Sequence, residues 1–182
     1  MINKLSLAKR KNLNLKLSPL SMKKTIQPNI GGVSQVFPFL WLGSKTNAFD
    51  KQLLFGMKEI PNKVDLIINV SKDINNKFIH NKVNSIEHIR IPINDDTKED
   101  ISVYFELVYQ YIENARKKNK IVFIHCHMGI SRSPTLVIAY IMKYLRMSFT
   151  MAFQYLEKIR PIIEPNIGFI CQLEKYQKNM YK

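Results

Sequence analysis

Four apolar strand formers, Ile121-Val122-Phe123-Ile124, run directly into His125-Cys126-His127-Met128-Gly129-Ile130-Ser131-Arg132-Ser133, and a second apolar stretch continues to about Arg146. β-Branched and aromatic residues with no polar residue between them read as a buried strand. The stretch from Ser133 onward reads as a helix, so the residues between form a strand-to-helix turn. A strand buried on both faces belongs to a sheet covered by helices, which limits the architectures open to the chain. The turn also gathers backbone N–H groups and the positive end of a helix dipole at one point, where a phosphate or a thiolate is stabilised.

The rest of the chain fits that architecture. Val36 to Gly43 suggests two short strands broken at Pro38, Asn47 to Met57 a helix, and Val64 to Val70 a buried strand. Glu87 to Ile93 alternates as a strand does, and Ile101 to Lys118 carries Val103, Leu107, Val108, Tyr111 and Ile112 at helical spacing. Three helices are expected after the central strand: Ser133–Arg146, Ser148–Ile159 with Ser148 as N-cap, and Asn166 to Met180 after Pro165. Strands alternating with helices predict an α/β domain over residues 30–182, with a central, mainly parallel β-sheet flanked by helices. Ligands of such sheets bind at the carboxyl ends of strands, where the Cys126 turn lies.

Residues 1–29 have another character, with many Lys and Arg residues, no Asp or Glu, and breaks at Pro19 and Pro28. They read as a basic, flexible arm. The formal net charge of +14 favours anionic partners. No zinc-finger spacing, RNA-recognition motif or basic-aromatic stripe accompanies it, so no specific nucleic-acid binding is expected. No apolar run is long enough to span a bilayer and no secretory signal is evident. Two cysteines make no disulfide framework, and a free thiol suits a reducing, intracellular setting, cytoplasm or nucleus.

A cysteine at such a turn is a candidate nucleophile, because N–H donors and a helix N-terminus favour the reactive thiolate. Arg132 offers a planar fork of donors that matches two phosphate oxygens, and Gly129 lets the backbone turn sharply. The turn then wraps a phosphate ester with the thiolate opposite the leaving oxygen. The leaving oxygen needs a proton, and Asp95 and Asp96 are both candidates on the loop after the Glu87–Ile93 strand. Ser133 is placed to donate to the departing thiolate, and His125 to hold the turn through its ring nitrogens. His125-Cys126-His127 has no second ligand pair at metal-site spacing, and no metal or other cofactor is expected. Cys171 reads as a packed helix residue, Arg116–Lys120 as a solvated helix end, and Trp41 as core.

HCHMGISRS fits the Cys-x5-Arg phosphatase loop, and its Gly-Ile-Ser-Arg-Ser ending resembles the dual-specificity protein phosphatases, members of the cysteine-based protein tyrosine phosphatase superfamily. VFPFLWLGSKTNA (36–48), IPINDDTKEDIS (91–102), IAYIMKYLRMSFTMAF (138–153) and EPNIGFICQLEKY (164–176) resemble further segments of that family, in order. The resemblance covers about residues 30–178 and fits its small, catalytic-domain-only members. It implies the cysteine phosphatase fold. It also implies hydrolysis of phosphotyrosine and phosphoserine/phosphothreonine in phosphoproteins through a phosphocysteine at Cys126. Arg132 would bind the phosphoryl group, and backbone N–H groups of His127, Met128, Gly129, Ile130, Ser131 and Arg132 would cradle its oxygens. Asp95 aligns with the general acid and Asp96 is its neighbour. Ser133 would assist thiolate release, His125 would order the loop, and Asn166 would fix the loop from behind.

The same residues also fit the same chemistry on an RNA 5′-phosphate or a phosphoinositide, or a phosphate-binding adaptor without turnover. Lys9-Arg10-Lys11-Asn12-Leu13-Asn14-Leu15 resembles the docking peptides of mitogen-activated protein kinases, although a solvated basic tail is the default for such a segment. The sequence leaves the oligomeric state open.

Overall fold

A computed structural model describes residues 32–56, 58–74 and 86–180; the expected arm, residues 1–29, lies outside the described residues. Strands β1 (Ser34–Phe37) and β2 (Leu40–Gly43) form a hairpin through Pro38 and Phe39. With β3 (Leu66–Asn69), β4 (Glu87–Arg90) and β5 (Val122–His125) they make one sheet in the order β1-β2-β5-β3-β4. Only the β1–β2 pair is antiparallel. The central, mainly parallel sheet expected from the sequence is the one observed, and β5 runs through its middle.

The unbroken apolar runs follow from cores on both faces. Leu40, Leu42, Leu66, Ile68, Val122 and Ile124 point to one face, where they meet α3 (Phe105–Lys117), α4 (Arg132–Leu145), α5 (Phe149–Ile159) and α6 (Ile167–Met180). The alternate residues Trp41, Ile67 and Phe123 point to the other, against Ala48, Leu53, Leu54, Ile60 and Val64. With a side-chain period of two, each position of these strands is buried on one side or the other. Gly43 and Asn69 both stand level with His125, and Arg90 with Asn69. The segments after β2, β3, β4 and β5 therefore leave the sheet at one edge.

The structure departs from the sequence reading in several places. The helix expected over Asn47 to Met57 is two short ones, α1 (Lys45–Phe49) and α2 (Lys51–Leu54). Asp50 divides them, because its carboxylate accepts from the N–H groups of Gln52 and Leu53 and so begins a new helix. β4 stops at Arg90, short of Ile93, as Pro92 has no N–H to continue the ladder. The Ile101 helix opens as a 3-10 turn, Ile101–Tyr104, capped by Asp100. Cys171 is exposed: α6 buries Phe169 and Leu173, four apart, and a residue midway between them faces outward. Among the described residues no single helix is long and apolar enough to cross a membrane; α4 and α5 pass that test only as a pair bent by 119°.

Candidate active site

Cys126 follows β5 and is 1% exposed. Its Sγ accepts from Gly129 N–H at 3.2 Å and from Ser133 Oγ at 3.2 Å. Gly129 has φ +70°, in the region that favours glycine, and this kink brings its N–H back onto the sulfur. Ser133 lies in the first turn of α4, a helix carrying no acidic residue there. The sulfur thus lies between two donors at the N-terminal, positive end of a 14-residue helix.

The carbonyls of the turn are tied to groups outside it. Cys126 O faces His125 Nδ1 at 3.2 Å, His127 O accepts from Lys45 N–H at 3.1 Å, and Ile130 O accepts from Glu164 N–H at 2.8 Å. Gly129 O accepts from Arg160 Nε at 2.8 Å. In a trans peptide the N–H points away from the C=O. Carbonyls tied outward leave the N–H groups of His127, Met128, Ile130 and Ser131 directed to the inner side of the turn, an arrangement suited to an anion. The His127 ring stands at the rim, its Nε2 accepting from Lys45 Nζ at 2.6 Å, and Met128 is exposed beside it.

Arg132 is 4% exposed, and its guanidinium is oriented along one edge. Nη1 donates to Ser71 Oγ at 3.0 Å, Asp73 Oδ2 at 2.9 Å and Ile93 O at 3.1 Å. Nε is buried without a hydrogen-bond partner and lies 3.5 Å from Asp95 Oδ2. That leaves a donor on the edge facing Asp95 and the loop, suited to an anion's oxygens. The guanidinium beside Asp73 holds that carboxyl below the usual carboxylate range.

The two candidate acids separate. Asp95 Oδ1 accepts from Ser131 Oγ at 2.6 Å and from Asn166 Nδ2 at 3.0 Å, which places it against the cradle. Asp96 Oδ1 accepts from Lys98 N–H at 2.8 Å and closes its own turn. Asn166 also accepts from Phe169 N–H at the head of α6 and donates its own N–H to Ser131 Oγ. His125 is fully buried and stacks on Phe123 at 5.6 Å. Burial pushes its pKa from 6.5 down to about 4, partly opposed by the Cys126 carbonyl, so the ring is neutral.

The structure places His125, Cys126, Gly129, Ser131, Arg132, Ser133, Asp95 and Asn166 at one turn, with His127 and Met128 at its rim and Asp96 turned to its own loop. It adds Ser71 and Asp73, which orient Arg132, and Arg160, which holds Gly129. Ser71 and Asp73 follow β3 at its carboxyl end, as Cys126 follows β5, and that placement was the available signal. Arg160 carried none, since a cation after a helix is ordinarily a solvated end.

A thiol nucleophile candidate, an N–H cradle and a buried arginine at the edge of a mainly parallel sheet define the class: an α/β protein of the cysteine phosphatase fold. The model of the dual specificity phosphatase catalytic domain matches residues 40–179, and the chain belongs to that family. It is 34% identical over 163 residues to the tyrosine-protein phosphatase vhp-1 of Caenorhabditis elegans, covering 90% of this chain and 24% of that protein. It is 34% identical over 155 residues to dual specificity protein phosphatase 18 of Rattus norvegicus, covering 85% of this chain and 72% of the rat protein. The crystal structure of human tyrosine phosphatase-like serine/threonine/tyrosine-interacting protein superposes with a TM-score of 0.74 at 28% identity, covering 84% of this chain and 99% of that one. The chain thus spans about a quarter of the worm phosphatase and nearly three quarters of the rat one.

Proposed function

We propose that the chain hydrolyses phosphotyrosine and phosphoserine/phosphothreonine in proteins through a phosphocysteine, without a metal. The observation that carries this reading is the Cys126 sulfur, bonded by Gly129 N–H and Ser133 Oγ within a turn that contains Arg132 and bonds Asp95 of the neighbouring loop through Ser131. In the first step Sγ attacks phosphorus, the P–O ester bond breaks, and protonated Asp95 gives its proton to the leaving oxygen. Arg132 and the loop N–H groups hold the three non-bridging oxygens as charge builds on them. In the second step Asp95 takes a proton from water, the water oxygen attacks phosphorus, and the S–P bond breaks. Inorganic phosphate leaves, and Ser133 Oγ stabilises the released thiolate. The short core supports a pocket shallow enough for serine and threonine esters as well as tyrosine.

The test is hydrolysis of an aryl phosphate with EDTA present. Wild type is expected to turn over and Cys126→Ser to lose activity by at least about 10⁴-fold. A folded, inactive wild type that still binds phosphopeptides is the adaptor reading and overturns this one. Asp95→Asn is expected to slow alkyl phosphates about 10²-fold or more, and activated aryl phosphates less, because a poor leaving group needs the proton most. Asp96→Asn is expected to leave both nearly unchanged. If Asp96→Asn gives the leaving-group signature instead, the acid is misassigned.

A further inference from the structure

Arg160 is 1% exposed, the largest side chain so fully buried among the described residues. None of their carboxylates lies within ion-pair distance of it. A buried cation without a counter-ion is costly unless its donors are well used. Here Nε donates to Gly129 O at 2.8 Å, and Nη1 to Gly32 O at 2.9 Å and Ser34 Oγ at 3.2 Å. The fork therefore spans from the start of β1 to the middle of the phosphate loop. Gly129 meets it closely: a Cβ there would lie 2.8 Å from Arg160 Nη2 and 2.6 Å from Gly43 O.

The carbonyl that Arg160 holds belongs to the same planar unit as the Ile130 N–H, and that peptide bond is trans. Fixing the carbonyl outward fixes the N–H inward. A charge-assisted bond to a peptide oxygen also polarises the unit, which makes its N–H a better donor. We propose that Arg160 is a positioning residue for phosphoryl binding, turning the 129–130 peptide so that the Ile130 N–H faces the oxygens of the bound ester. The proposal rests on the phosphatase reading of the loop. Burial draws the Arg160 pKa down and the Cys126 sulfur opposes that shift, in keeping with a cation placed beneath an anion-binding turn.

The test uses the full chain and inorganic phosphate as probe, with alkylation of Cys126 by iodoacetamide as readout, so that binding is measured without turnover. Phosphate in the loop shields the sulfur, and the concentration that halves the alkylation rate gives its affinity. Arg160→Met is expected to weaken that affinity about 10-fold or more, with Cys126 still alkylated in the absence of phosphate. Arg160→Lys, which retains a charge but not the fork, is expected to fall between. Ser34→Ala removes one anchor of the guanidinium at little risk to folding and is expected to weaken phosphate about 3-fold. Wild-type affinity in Arg160→Met overturns the proposal and leaves the phosphatase reading standing. If Arg160→Met does not fold, wild-type affinity in both Arg160→Lys and Ser34→Ala overturns it equally. A wild type that phosphate does not protect removes the anion cradle, and with it both readings.

Discussion

At the scale of single residues, the site depends on groups whose charge state the fold fixes. His125 is the clearest case. Unfolded, its imidazole takes a proton near pH 6.5; folded, burial holds it neutral down to about 4. Between those values the unfolded chain binds the extra proton, so stability is full above pH 6.5 and falls as the pH drops toward 4. One pKa unit corresponds to about 1.4 kcal/mol, so the loss amounts to about 3 kcal/mol across the window. Urea unfolding midpoints measured from pH 7.5 to 4.5 check this, and His125→Asn is expected to show a shallower dependence. Parallel curves for the two proteins would rule His125 out as the source. Cys126, His125, Gly129, Arg132 and Ser133 were all legible in the sequence, because they lie in one contiguous turn whose chemistry requires those residue types. Ser71, Asp73 and Arg160 were not. They reach the turn from other segments: for Ser71 and Asp73 a place after a strand was the one signal, and nothing about an isolated arginine announces the neighbour it acquires on folding.

At the scale of elements, α6 acts as a brace for the loop that carries Asp95. Gln172 Nε2 donates to Glu99 O at 2.8 Å and its Oε1 accepts from Ser102 N–H at 2.9 Å, while Asn94 Nδ2 donates to Glu99 Oε2 at 2.8 Å. Gly168 lets the helix lie directly on that loop, since a Cβ at this position would sit 2.1 Å from Thr97 O. Gly168→Ala must push Thr97 and its neighbours away. It is expected to lower kcat/KM about 10²-fold on an alkyl phosphate and clearly less on an activated aryl phosphate, the pattern of a displaced acid. An equal loss on both substrates would indicate a general disturbance of the loop instead. The α3–α4 contact corrects another sequence reading. Arg116, expected at a solvated helix end, bonds the buried Glu113 through two nitrogens at 2.8 Å and lies over Phe39 and Tyr144. Tyr140 donates to the same Glu113 at 2.8 Å. A run of basic residues looks uniform in sequence, and only packing separates the one that faces inward.

At the scale of the whole molecule, sheet order was legible in class but not in detail. Unbroken apolar runs imply strands covered on both faces, yet they leave open which strand lies beside which. The order β1-β2-β5-β3-β4 follows from pairings between distant segments. Net charge is another property of the whole chain, and at +14 it gives a prediction of its own. Deleting residues 1–29 removes a segment with no acidic residues, and the KM for acidic phosphopeptides is expected to rise a few-fold at low ionic strength, with the difference vanishing near 0.5 M salt. A difference that persists in high salt on a phosphorylated mitogen-activated protein kinase would point to docking by residues 9–15. The outward bonds of the loop carbonyls, made by Lys45, Arg160 and Glu164, bear on how this chemistry can be transplanted. HCHMGISRS alone carries the sulfur and the arginine, but the directions of its N–H groups are dictated by residues before, beside and after it. Grafted onto another strand–helix junction without those three holders, the same nine letters should make a reactive thiol and a poor receptor for phosphate.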